Sequence, residues 1–276
     1  MTTKTNSFHF FLHRFQDSLK QLLRRAGGQI LEYLDYVGTA ALLAFRTLKM
    51  LFKGPVQMRL VLEQVLQIGV KSLSLTNLVA VFTGMVLALQ FIVGLERFGL
   101  TLYAGQVVGI AIVRELGPVL TSLMIAARVG SGIAAELGSM AVTEQVLAIE
   151  AMGANPIAKL VVPRVLVTTL ITPILTVIAD VVGILGGMFV AVIESGVTAR
   201  FYIDQVLRTV ELEDFFSGTG KTFFFGFLIG IIACNQGLRT TRGTQGVGES
   251  TTLSVVIASV AIFVSDYFLT KLFLLF

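Results

Sequence analysis

Long apolar runs, each bounded by charge, recur along this chain and set its first reading. A helix needs about 20 mostly apolar residues to cross roughly 30 Å of hydrocarbon. Five stretches meet that requirement and predict transmembrane helices. The cleanest lies between Lys71 and Glu96. The second runs from about Gly105 to Ala127 and carries the adjacent pair Arg114 and Glu115, followed by Gly117-Pro118. The third runs from about Val165 to Ile193, with Pro173 in its first half and Asp180 as its only charge. The fourth lies between Lys221 and Arg239. The fifth starts near Thr251 and ends close to the C-terminus, with Asp266 and Lys271 inside it.

Other segments are patterned differently. Phe8, Phe11, Leu12, Phe15, Leu19, Leu22 and Leu23 recur at helical spacing, while Arg14, Asp17, Lys20, Gln21 and Arg24 fill the other face. That pattern predicts a helix lying in the membrane interface. The stretch Ile30 to Phe52 has an uncharged run only from Tyr36 to Phe45, and reads as a re-entrant or elbow helix on the cytoplasmic leaflet. Arg128 to Met152 holds Glu136, Glu144 and Glu150, too polar for hydrocarbon. It predicts a cytoplasmic helix stopped by Gly153, the residue type favoured just past a helix end. The expected fold is therefore an all-α integral membrane protein. Residues 1–70 form N-terminal interfacial and elbow helices, and residues 71–276 form a five-span domain with a cytoplasmic helix between spans two and three.

Composition sharpens this. Hydrophobic residues make up 55% of the chain and charged residues 14%, against roughly 25% charged in soluble domains. No soluble core could hide so much apolar side chain, so lipid must cover it. The net charge of +4 does not imply nucleic acid, because 15 of the 21 Lys and Arg residues gather on one side of the spans. By the positive-inside rule the N-terminus is cytoplasmic and, after five crossings, the C-terminus is periplasmic. No cleaved signal peptide is expected, since Lys4, Arg14, Lys20, Arg24 and Arg25 interrupt the first segment. Cys234 is the sole cysteine and lies in an apolar run. His9 and His13 have no third ligand, so neither a metal site nor a cofactor is expected.

Candidate chemistry is sparse. Gly218-Thr219-Gly220-Lys221-Thr222 fails as a phosphate-binding loop, because Phe215 stands where the motif needs glycine. Its place at a membrane boundary is also wrong for that loop. Gly243 to Gly248 reads as a flexible cytoplasmic loop before an N-cap at Ser250 or Thr251. Small residues at helical spacing (Gly226 and Gly230, Gly183 and Gly187, Gly130 and Ala134) predict close helix packing, within the bundle or at a dimer seam. Charge at mid-bilayer costs at least about 2.5–3.5 kcal/mol. Glu115, Asp180, Lys221 and Asp266 must therefore face a cavity, a partner or the interface. They serve either as structural ion pairs or as the polar lining of a substrate pathway. An ion- or proton-coupled secondary transporter using Glu115 and Asp266 is one alternative, although no paired inverted repeats are evident. A non-transporting membrane scaffold is another.

Several ordered motifs together resemble the MlaE family of ABC-transporter permeases, which includes plastid lipid-import permeases. They are Arg114-Glu115-Leu116-Gly117-Pro118-Val119, Ala127-Arg128-Val129-Gly130-Ser131, Ala135-Glu136-Leu137-Gly138, Thr143-Glu144-Gln145 and Pro163-Arg164. Gly84-Met85-Val86 with Gln90, and Asp266-Tyr267-Phe268 with Leu269-Thr270, match too. The resemblance covers roughly Lys71 to Phe276. It implies a homodimeric permease subunit, not itself an enzyme, in the cell inner membrane. It further implies a separate ATPase docked on the helix that carries Arg128, Glu136, Glu144 and Gln145. An MCE-domain substrate-binding protein on the outer side, and in some members a STAS-domain protein, complete the implied assembly. The implied cargo is phospholipid or a related lipid, with Glu115, Lys221, Asp266 and Gln90 on its pathway.

Overall fold

The computed structural model describes residues 28, 31, 34–52, 58–273 and 275. The expected interfacial helix with His9 and His13 lies outside the described residues. The chain divides into two compact units, Met1–Phe45 and Arg46–Phe276. In the first, residues 34–45 are helical.

The described residues of the second unit form helices joined by short turns, with no strand among them, and five helices are long and apolar enough to cross a membrane. We label its elements α1 (Met58–Glu96), α2 (Thr101–Val142), α3 (Gln145–Ala151), α4 (Ile157–Ser195), α5 (Ala199–Thr209), α6 (Leu212–Leu238) and α7 (Gly243–Phe273). At 1.5 Å rise per residue, the 42 residues of α2 reach far beyond about 30 Å of hydrocarbon. The crossing helices therefore carry their polar ends out of the membrane instead of stopping at its edge.

That extension revises several expected boundaries. The polar helix expected over Arg128 to Met152 is divided. Its first part continues α2, because Ile133, Ala134, Leu137 and Gly138 form a buried face that packs against α6 and α7. The chain then breaks at Thr143 and Glu144, whose backbone is left-handed with φ 59°, and resumes as the short α3. Gly153 follows the end of α3 with φ 78°, the terminating role expected of it. Gly243 to Gly248 is helical, opening α7 instead of forming a loop. The Thr240 hydroxyl donates to Ser250 Oγ at 2.8 Å and ties the second turn of α7 to the end of α6.

Glycine contacts fix the packing inside the bundle. A Cβ on Gly84 of α1 would overlap the Gly183 carbonyl of α4, and one on Gly186 would meet the Val81 carbonyl at 2.5 Å. On α6, Gly226 and Gly230 sit against Thr168 and Val165 of α4. These pairs are used within one chain, which assigns the small residues at 183, 226 and 230 to bundle packing. Helices α2 and α6 are the most deeply buried spans, while α1 and α7 show most of their surface outward. Cys234 is buried in α6, as its apolar run suggested.

Wide, π-type turns interrupt the α-helical ladder at Val65–Val70 in α1, at Ile112–Leu116 and Ala126–Gly130 in α2, and at Ile157–Val161 in α4. Such turns add a residue to one helical turn and often mark functional positions. The turn at Ile112–Leu116 carries Arg114 and Glu115.

Candidate functional site: a buried lysine shared by three helices

Helix α6 opens with a reciprocal cap. The Glu211 N–H donates to Asp214 Oδ2 at 3.0 Å, and the Glu211 side chain accepts from the Asp214 backbone. Asp214, Gly218 and Lys221 then recur at helical spacing and share a face. This face meets the wide turn of α2. Gly218 lets the Val113 carbonyl approach so closely that a Cβ there would overlap it. On either side of that contact, neighbouring residues of α2 find separate partners on α6. Arg114 pairs with Asp214 at 3.3 Å, and Glu115 pairs with Lys221 at 2.9 Å.

Lys221 is the centre of the site. Its side chain is 1% exposed, yet all three ammonium donors are satisfied. It donates to Glu115 Oε2 at 2.9 Å, to Asp266 Oδ1 at 3.0 Å and to Thr270 Oγ1 at 2.9 Å. The Thr270 hydroxyl in turn donates to Glu115 Oε1 at 3.1 Å. Asp266 and Thr270 are one helical turn apart on α7. The cluster therefore joins α2, α6 and α7 through one cation and two carboxylates. Glu115 is the member most open to its surroundings, with 39% of its side chain exposed.

Three expected pathway residues are thus in mutual contact. The boundary position expected for Lys221 is replaced by a fully buried one inside α6. Gln90 is not part of the cluster; it is exposed on α1 and lines a separate hollow with Leu89, Val93, Arg97 and Phe98. Thr270 is a cluster member that charge-based reading did not single out. Its sequence signals are its place in the Asp266 to Thr270 motif and its helical spacing from Asp266. Arg114 and Asp214 line an open hollow of about 630 Å³ with Glu213, Ser217, Phe216 and Phe273.

The residues expected to couple to an ATPase are spread along the other end of α2 and into α3. Arg128 donates to Ser72 Oγ of α1 at 3.1 Å. Glu136 forms a 2.7 Å ion pair with Arg164 at the start of α4. Arg164, only 6% exposed, also donates to the Leu160 carbonyl at 2.6 Å. Glu144 and Gln145 are exposed, as are Leu147 and Met152 beside them.

These features define a multi-pass α-helical membrane protein in which a buried interhelical tie joins α2, α6 and α7. The chain matches the model of the family described as Permease MlaE over residues 61–272. It is 38% identical over 254 residues to a probable ABC transporter permease protein of Rickettsia typhi, covering 92% of this chain and 98% of that one. A probable ABC transporter permease protein of Synechocystis is 40% identical over 222 residues, covering 80% of this chain and 84% of that one. The chloroplast protein TRIGALACTOSYLDIACYLGLYCEROL 1 of Arabidopsis thaliana is 38% identical over 223 residues, covering 81% of this chain and 64% of that one. The chain belongs to the MlaE family of ABC transporter permeases.

Proposed function

We propose that this chain is the membrane subunit of a complex that moves phospholipids or related lipids between inner and outer membranes. It would act as a homodimer in the inner membrane, with its N-terminus cytoplasmic and its C-terminus periplasmic. ATP hydrolysis would occur on a separate chain docked at Glu136, Glu144, Gln145 and α3. An MCE-domain protein would receive or deliver lipid on the outer side, with a STAS-domain protein as a further possible subunit. The galactolipid in the chloroplast relative's name supports a lipid cargo.

The observation that carries this reading is the Glu115–Lys221–Asp266–Thr270 tie. It joins three crossing helices around a buried cation. With every Lys221 donor taken, the ammonium cannot also serve a lipid phosphate in this conformation. We therefore assign the cluster as a latch. Movement of α2 against α6 and α7, driven from the α3 end, would open it and expose Lys221 to a headgroup phosphate. Glu115 and the hollow beside Arg114 would form the adjoining pathway, and Gln90 a more distant part of it.

The test is lipid recovery. Purify the chain with its co-expressed ATPase, extract bound lipid and identify it by mass spectrometry, for wild type, Lys221→Ala and Glu115→Ala. Phospholipid should be retained by wild type and lost or altered in the variants. A wild-type complex that folds and carries no lipid contradicts the cargo assignment.

A further inference from the structure

Helices α1 and α2 leave a crevice between them. Val79 and Thr83 of α1 form one wall, Leu120 and Met124 of α2 the other, and Ala179 and Gly183 of α4 the base. The wall residues are half-buried and the base residues buried, so the crevice opens at the surface. It encloses about 320 Å³ and its lining is almost wholly apolar. Water gains no hydrogen bonds in such a space, whereas a hydrocarbon chain fits it.

A cation marks one end of the crevice. Ser72 stands one turn before Thr76, which lines the crevice and donates its hydroxyl to the Ser72 carbonyl at 3.1 Å. Arg128 stands one turn beyond Met124, on the wide turn Ala126–Gly130. The two meet, Arg128 donating to Ser72 Oγ at 3.1 Å, which sets the guanidinium on the α1–α2 seam. Four Lys and Arg residues among the described residues are buried or half-buried: Arg114, Arg128, Arg164 and Lys221. Arg114, Arg164 and Lys221 each hold a carboxylate. Arg128 alone has only a neutral partner there. Exposed Lys71, next to Ser72, adds a second positive charge, and neither cation has an Asp or Glu within one turn of its own helix. From Lys71 to Glu96 the 26 residues of α1 rise about 39 Å, against about 30 Å of hydrocarbon. The Ser72 end of the crevice therefore reaches headgroup level, on the side that the positive-inside rule makes cytoplasmic.

We propose that the crevice and Arg128 form a binding site for an anionic phospholipid of the cytoplasmic leaflet. One acyl chain lies between α1 and α2, and the headgroup phosphate takes the guanidinium donors that Ser72 leaves free. Two cations without a neighbouring carboxylate favour an anionic headgroup over a zwitterionic one. The site is separate from the latch. It rests on the membrane orientation given above and not on ATP-driven transport.

The chain has no tryptophan, so a single introduced tryptophan reports the lipid beside it. Leu78→Trp places one next to the crevice on the exposed side of α1, and Val260→Trp on the exposed side of α7 is the reference. Each full-length variant is reconstituted without ATP in mixed phosphatidylglycerol and phosphatidylcholine bilayers, with bromine on one lipid at a time. Quenching then gives the relative occupancy of the two lipids. The reporter at position 78 should favour phosphatidylglycerol by about fivefold, the worth of one basic residue near an anionic surface, and the reporter at 260 by clearly less. Adding Arg128→Gln should remove the preference at 78, and Arg128→Lys should keep part of it. Equal preferences at 78 and 260, or a preference at 78 that survives Arg128→Gln, overturn the proposal. So does an absence of quenching by either lipid, which would show the crevice covered by protein. If Arg128→Gln fails to fold, the comparison of 78 with 260 in the parent chain decides. The readout needs no transport, so its failure leaves the cargo reading standing.

Discussion

Lys221 shows what a single residue contributes when its neighbours are fixed. Its ammonium is held by Glu115, Asp266 and Thr270, so Lys221→Met leaves two carboxyl groups without their shared partner where three helices meet. Removing one partner of a buried pair costs about 3–5 kcal/mol. Because 39% of the Glu115 side chain is exposed, the loss expected in denaturant unfolding of the purified protein is smaller, about 1–3 kcal/mol. Thr270→Val removes one acceptor and one donor while keeping the shape, and should cost about 1–3 kcal/mol. Thr270→Ser should stay close to wild type. Equal losses for the valine and serine variants would show that the hydroxyl is not what matters. The need for inward-facing charge at positions 115, 221 and 266 was legible in the sequence, because lipid leaves charge so few alternatives. Their mutual contact was not legible, since nothing local says that residues 115, 221 and 266 meet. The place of Asp180, whose Oδ1 rests directly on Gly117 of α2, was equally hidden, because it depends on how two distant helices cross.

At the scale of elements, the number of crossings was readable because each demands a long apolar run. Their ends were not. Helices α2, α6 and α7 continue into polar sequence, and α2 keeps a buried stripe through Leu137 and Gly138 that supports it beyond the expected boundary. A search for charge-free stretches stops where such a stripe does not. Close contact between α2 and α6 depends on Gly218, whose Cβ would overlap the Val113 carbonyl. Gly218→Ala should therefore destabilise the bundle by about 1–3 kcal/mol through forced separation. Gly248→Ala, with nothing within 4 Å, should change stability by less than about 1 kcal/mol. The comparison is read from unfolding curves collected side by side. At the α2–α3 break, Glu144 holds a left-handed backbone with φ 59°. A strained conformation of this kind costs of order 1–3 kcal/mol, so Glu144→Gly should fold at least as stably as wild type. Loss of ATPase stimulation in that well-folded variant would assign the Glu144 side chain to coupling.

At the scale of the molecule, the two ends of one long helix hold different sets of partners. Toward one end of α2, the wide turn Ile112–Leu116 carries Glu115 of the proposed latch. The other holds Arg128 and Glu136 and leads into exposed α3. A rigid helix with partners at both ends is a plausible carrier of motion only if both partner sets have two arrangements. The proposed latch is the partner set at one end, and the Glu136–Arg164 pair at 2.7 Å is the partner set at the other. Arg164→Lys keeps the charge but loses the guanidinium's fixed fork, which also serves the Leu160 carbonyl. It should weaken coupling between ATP hydrolysis and transport while leaving the latch intact, a difference read as ATP consumed per lipid moved. In the function we propose, this chain moves lipid at the expense of ATP hydrolysed on another chain. The most direct measurement is lipid transfer from proteoliposomes holding the chain and its ATPase to acceptor vesicles, with and without ATP. Transfer should depend on ATP and fall sharply when a Glu115→Gln, Lys221→Met double variant removes the latch. Transfer that proceeds equally without ATP, or does not occur in a folded and ATP-hydrolysing complex, would contradict it.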